Sequence, residues 1–180
     1  MPTRILQFGT QVAGVEYRER PGGYAIVIRP GGDIALVETA AGVFLPGGGQ
    51  EPGETPELAA VRESREECDF RISIRARVGV ADEFVFGSDV RSHLRKRSTF
   101  FTADLVGAGV GGESDHRLVW STPASAAAKL THGSQRWAVR EAFHITGTAI
   151  PAQVEPHSPG EEDADLESAV APPGRAHRAT

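Results

Sequence analysis

An α/β fold, with helices covering both faces of one sheet, is predicted from three stretches of the sequence. Tyr24-Ala-Ile-Val-Ile28 and Ile34-Ala-Leu-Val37 are almost continuously apolar, as strands buried on both faces are. Arg71 to Val80 alternates, which places Ile72, Ile74, Ala76, Val78 and Val80 on one side of a half-buried strand. Thr55-Pro56-Glu57 opens a helix that runs to about Cys68: threonine caps, proline suits the first helical position and the glutamate favours the positive end of the helix dipole.

The remaining elements follow in order. Ile5 to Phe8 and Val12 to Tyr17 read as short strands around a turn at Gly9-Thr10. Pro30-Gly31-Gly32 supplies the turn between the two apolar strands. Gly42 to Leu45 leads into Pro46-Gly47-Gly48-Gly49, where glycine permits close backbone approach. Leu58, Val61 and Cys68 are expected on the buried side of the following helix. Phe84 to Phe86 continues the alternating strand or starts an edge, and 87–97 reads as a polar loop carrying Arg95-Lys96-Arg97. Ser98 to Val106 returns to a strand with Phe100 and Phe101 on opposite faces. A short strand at Leu118 to Trp120, a helix from Pro123 to Leu130 and a last helix from about Ser134 to His144 complete the body, with Trp120 and Trp137 as core anchors.

A chain of 180 residues suits one domain, assigned here to 1–150. Residues 151–180 hold five prolines, six acidic residues, two arginines and no aromatic, the composition of a disordered tail. That tail carries -4 of the formal charge of -5, so the body is nearly neutral and is not a general nucleic-acid surface. Cys68 is the sole cysteine, which excludes an internal disulfide and a thiolate zinc cluster. No run has the length of a membrane span and no apolar leader opens the chain, so a cytoplasmic protein without a membrane partner is expected.

The chemistry concentrates in Leu45 to Phe70. Residues three and four apart share a helix face, which brings Glu63, Glu66 and Glu67 to one side. Three carboxylates so placed repel one another, and divalent cations are the common way to hold them together beside a phosphate. The register is specific: Gly48 is followed after five residues by Glu54, and after seven more by Arg62-Glu63-Ser64-Arg65-Glu66-Glu67-Cys68-Asp69-Phe70.

This segment resembles the signature box of the Nudix hydrolases. All charged positions match; Ser64 stands where an apolar residue is usual and Asp69 where glycine is usual. The resemblance implies a Nudix-type α/β/α sandwich with a mixed sheet. It also implies magnesium or manganese held by Glu63, Glu66 and Glu67, with Glu67 the direct ligand and Glu63 an activator of the attacking water. Gly47 would complete the metal shell through its carbonyl, Arg62 would orient a glutamate, Glu54 and Gly48 would brace the loop and helix, and Glu113 is a candidate for a further downstream carboxylate. Arg95, Lys96 and Arg97 are candidate contacts for substrate phosphates, and Phe84, Phe86 or Phe100 for a base, with Arg95, Arg97 and Phe84 put first. His116 reads as a loop residue. The reaction implied is metal-dependent hydrolysis of a nucleoside diphosphate joined to another group, with a nucleotide-type small molecule as partner and a homodimer kept open. A non-catalytic nucleotide-binding or regulatory module of the same fold is the alternative.

Overall fold

The computed structural model describes residues 5–87, 90–108, 115–144 and 153–155. In chain order these form β1 (Ile5–Phe8), β2 (Arg18–Ile28), β3 (Ile34–Thr39), β4 (Gly42–Phe44), β5 (Gly47–Gly49), α1 (Pro56–Cys68), β6 (Phe70–Gly87), β7 (Ser92–Ala108), β8 (Arg117–Ser121), α2 (Pro123–Lys129), α3 (Gly133–Phe143) and β9 (Gln153–Glu155). Hydrogen-bonded neighbours run β4-β3-β2-β7-β6-β1-β9, with β5 on β2 and β8 on β3. The β2–β7 and β1–β6 pairs are parallel and the hairpin β6–β7 is antiparallel, so the sheet is mixed. Among the described residues no helix is long and apolar enough to cross a membrane.

Each face of the sheet has its own core. Ile26, Ile34, Leu36 and Phe100 pack against Ala126 and Ala127 of α2 and Ala138 and Val139 of α3. The intervening residues Ala25, Val27, Ala35, Val37 and Phe101 pack on the other face with Ala60 and Cys68 of α1. The two-residue period of a strand therefore divides Phe100 from Phe101, as expected, and helices cover both faces. Trp137 packs against the first core and Trp120 against the second.

Several local expectations are corrected. Val12 to Tyr17 is a loop: Val12 is exposed, Gly14 has φ +74, and the Val12 amide donates to the Tyr17 hydroxyl at 2.9 Å. β6 continues unbroken through Phe86, and its inward residues do not stay on one side. Register shifts between Ile74 and Ala76 and between Arg77 and Gly79 turn the strand, so Ile72 and Ile74 join the α1 core while Val78 joins the opposite one. Arg95, Lys96 and Arg97 lie within β7 and not in a loop. Of the segment 151–180, Gln153–Glu155 pairs antiparallel with β1; the rest of the expected tail, like Glu113, lies outside the described residues.

The docking of α1 also differs from the apolar pattern. Leu58 is 57% and Val61 37% exposed, whereas Ala59, Ala60, Ser64 and Cys68 are buried. The cause is backbone proximity: a Cβ at Gly23 would lie 1.7 Å from the Pro56 carbonyl oxygen, so β2 accepts the first turn of the helix only because residue 23 has no side chain. Small residues line the contact, and large ones are left outside. Fully buried Ser64 donates its hydroxyl to the Ala60 carbonyl at 2.7 Å, which satisfies a polar group at a position that is usually apolar. Asp69 takes the left-handed conformation, φ 53 and ψ 36, and its amide donates to the Arg65 carbonyl, closing the helix without glycine.

Candidate active site

Arg62 is the hub of the segment between β5 and the end of α1. Its Nε and Nη2 grip Glu54 Oε1 and Oε2 at 3.0 and 2.9 Å in a bidentate fork. Nη1 donates to Glu63 Oε1 at 2.9 Å and to Glu66 Oε2 at 3.0 Å, and Nη2 also reaches the Gly49 carbonyl at 2.9 Å. A guanidinium has five N–H donors, and these bonds account for all of them. The fork from Arg62, helped by the Glu51 amide, holds the Glu54 carboxyl below its ordinary value, and Glu54 raises the Arg62 pKa in return. Loop and helix are thus joined by one cation.

The carboxylates divide into two sets. Glu63 and Glu67, one turn apart, line a cavity of about 630 Å³ together with Gly47, Gly48 and Gly49, and their side chains are 19% and 16% exposed. Glu66 is 50% exposed and borders a separate groove with Leu58 and Arg65. Gly48 makes the first arrangement feasible, because a Cβ there would stand 2.5 Å from Glu63 Oε1. The Gly47 amide donates to Glu67 Oε2 at 3.0 Å, and Gly47 itself has φ +141, a backbone state that suits glycine. His116, expected only in a loop role, lines the same cavity with Nδ1 3.9 Å from Glu67 Oε1.

Among the described residues no three His, Cys, Asp or Glu side chains are gathered closely enough to hold a metal ion. Glu63 and Glu67 nevertheless match a hard divalent cation in kind, being anionic oxygen donors on one wall of a cavity beside backbone carbonyls. Tyr24 belongs to this wall as well. Burial pushes its hydroxyl up, Arg20 opposes, and Glu67 and Glu63 add to the rise, giving about 12. It is therefore a proton donor at neutral pH. Burial, with Glu67 beside it, pushes the Cys68 thiol up to about 12, so Cys68 is a packing residue and not a nucleophile.

Arg95 and Arg97 face away from the cavity. Both bind the buried Asp82 carboxylate: Arg95 through Nε and Nη2 at 2.9 and 2.7 Å, Arg97 through Nε at 2.9 Å and Nη2 at 3.1 Å. Phe84 is buried in edge contact with Tyr17, ring centroids 5.0 Å apart, while Phe86, 59% exposed, borders the cavity. Lys96 is the member of the basic run that lines the cavity. Strand alternation through 95–97 carries that information once the run is read as a strand. Lys96 Nζ lies 3.1 Å from His132 Nε2, and His132 Nδ1 lies 3.3 Å from Glu83 Oε1. Glu83 also accepts the Gly133 and Ser134 amides and the Ser134 hydroxyl, capping α3 from a neighbouring strand. Burial alone would raise the Glu83 carboxyl; the bonds from His132 and Ser134 outweigh it and hold the group at about 2. These residues are brought together by strand pairing between distant segments, and no local motif marks them.

The NUDIX domain family model matches residues 18–159. None of the curated protein sequences matches the chain. Among solved structures, a NUDIX hydrolase from Nitrosomonas europaea aligns with TM-score 0.59 at 16% identity, over 71% of this chain and 90% of the other. A MutT protein from Methanosarcina mazei Go1 gives 0.58 at 18%, over 73% and 98%. A C. elegans Ap4A hydrolase gives 0.57 at 17%, over 69% and 96%. At these identities the structural likeness concerns the fold.

Proposed function

The chain belongs to the Nudix hydrolase family, and from that premise we propose that it hydrolyses a nucleoside diphosphate joined to another group, by attack of water at phosphorus with magnesium or manganese bound. One observation carries this reading. Arg62 engages Glu54, Glu66 and one oxygen of Glu63, while Glu63 and Glu67 both line the cavity wall beside the glycine turn.

Glu63 and Glu67, with the Gly47 carbonyl, would hold the metal; Glu66 joins them only by turning from Arg62, and Glu113 is the candidate for a further ligand. A divalent ion there supplies charge neutralisation and Lewis-acid polarisation of phosphoryl oxygens. The protein's own groups supply the rest. Glu63 accepts the proton of the attacking water through the oxygen that Arg62 does not hold. Tyr24, protonated up to about pH 12, donates to oxygen in the same cavity. Arg62 and Glu54 keep the helix and the glycine turn at fixed separation, so that the water and the phosphorus meet without reorganisation. Phe86 at the rim is better placed than Phe84 to cover a base. The setting we assign is the cytoplasm, in keeping with a single buried thiol, and light scattering tests the homodimer.

The test is a panel of nucleoside triphosphates, nucleotide sugars and dinucleoside polyphosphates incubated with manganese, with product masses recorded. A phosphate-containing product that requires metal and is lost in Glu67→Gln supports the reading. Undiminished turnover in that variant overturns it. Binding without product identifies a nucleotide-binding module instead.

A further inference from the structure

Gln135 lines the cavity from the first turn of α3 and has no part in the reaction described above. Resting on that reaction, we infer that its carboxamide reads the nucleobase, and that it selects a base with a carbonyl oxygen over one with an amino group at the same ring position.

The orientation of the carboxamide carries the inference. Gln135 is 2% exposed, and its Oε1 accepts the Leu45 amide at 2.9 Å. Only the carbonyl oxygen of the group can receive an N–H, so the side chain is locked with Nε2 on its other arm. Turning it over would set two donors against each other and leave the buried Leu45 amide without its acceptor. Neighbouring bonds keep the two segments in place. The Val43 amide donates to Thr131 Oγ1 and the Thr131 amide to the Val43 carbonyl, both at 2.9 Å.

Nε2 carries two N–H donors and, among the described residues, meets no acceptor. It is not sealed inside the core, and the cavity is where Gln135 keeps its remaining surface. A donor so placed is left unsatisfied by the protein, and a ligand's acceptor completes it. Phosphate oxygens are acceptors in every nucleotide, so a fixed donor aimed at them would sort nothing. Base edges differ: position 6 of a purine and position 4 of a pyrimidine hold a carbonyl oxygen in some bases and an amino group in others. Val37, Phe44 and Leu94 give the same cavity apolar walls for a planar ring. An amino group would meet Nε2 donor to donor, with both left unpaired.

Calorimetric titration of the intact protein in EDTA at pH 8 tests this with no turnover intervening. The ligands are ITP against ATP, which contrast at position 6, and UTP against CTP, which contrast at position 4. Wild type is expected to bind the carbonyl member about tenfold more tightly in one pair or both, the size of one hydrogen bond made or left unmade. Gln135→Glu keeps the Leu45 bond through one carboxylate oxygen and offers an acceptor through the other, so the preference should vanish or reverse. Gln135→Met offers neither and should level the pair to within about twofold. The glutamate variant is close in shape and remains informative if the methionine variant folds poorly. No carbonyl preference in wild type, a carbonyl preference retained in either folded variant, or no nucleotide binding overturns the inference. A carbonyl preference that depends on Gln135, without manganese-dependent hydrolysis, counts against the proposed reaction and leaves the base reading standing.

Discussion

Two arginine–carboxylate networks in this molecule use the same groups in opposite proportion. Around Asp82, two guanidinium groups share one buried carboxylate, and Glu19 supplies the second negative charge, so cations and anions balance. Around Arg62, one guanidinium serves Glu54, Glu63 and Glu66, so negative charge is in excess. The balanced network needs nothing from outside and pins β6 to β7. The unbalanced one is held together only in part by its own cation, and it faces a cavity. Excess charge of one sign, sustained at the edge of a pocket, distinguishes a site from a brace.

The sharpest way to break this contrast is Glu67→Gln, which should lower metal-dependent turnover by about 10²–10³-fold. Its thermal midpoint should stay level or rise, since a repelling charge is removed. A large fall in melting temperature would mark Glu67 as structural. Next is Asp82→Asn, with the reverse outcome. Unfolding in urea should show a loss of about 3 kcal/mol, because two guanidinium groups lose their shared counter-charge, while kcat of the folded fraction stays close to wild type. Arg62→Lys should move both readouts. Lysine cannot reproduce the fork, and with Arg62 23% exposed the stability cost should be about 1–2 kcal/mol. The smallest effect is acid lability. Glu54 and Glu83 have depressed pKa values when folded, so each contributes stability that is complete above the unfolded carboxylate value of about 4.3 and is lost as pH falls towards the folded value, about 2 for Glu83. Urea midpoints measured from pH 6 to pH 3 should fall, and Glu83→Gln should flatten the slope.

The register from Gly48 to Glu67 was legible because helix geometry and a short turn place those residues from local sequence alone. The apolar strands and both later helices were legible for the same reason, and Phe100 and Phe101 divided as strand alternation requires. What escaped depends on partners far along the chain. Leu58 and Val61 look like core residues until Gly23 brings β2 against Pro56 and selects the small-residue face. The face of Val78 is decided by shifts against β7, and the basic run resembled a loop because its neutraliser, Asp82, lies on another strand. Lys96 and His132 meet across 36 positions, and no local pattern encodes that contact.

The parallel union of β2 with β7 has a consequence for how the molecule comes into being. Glu19 and Arg95, bonded across that seam, are 76 residues apart, so closing it is a non-local event, slow beside the turn and helix of the carboxylate segment. On the ribosome, β2 emerges long before its partner, and until β7 arrives Ala25, Ile26 and Val27 have lost neither their edge nor their stickiness. Glu63 and Glu67 emerge before Lys96, and His132 and Gln135, which line the same cavity, emerge after it. The cavity is therefore complete only when the segment from Thr131 to Gln135, well past the long hairpin, has joined it.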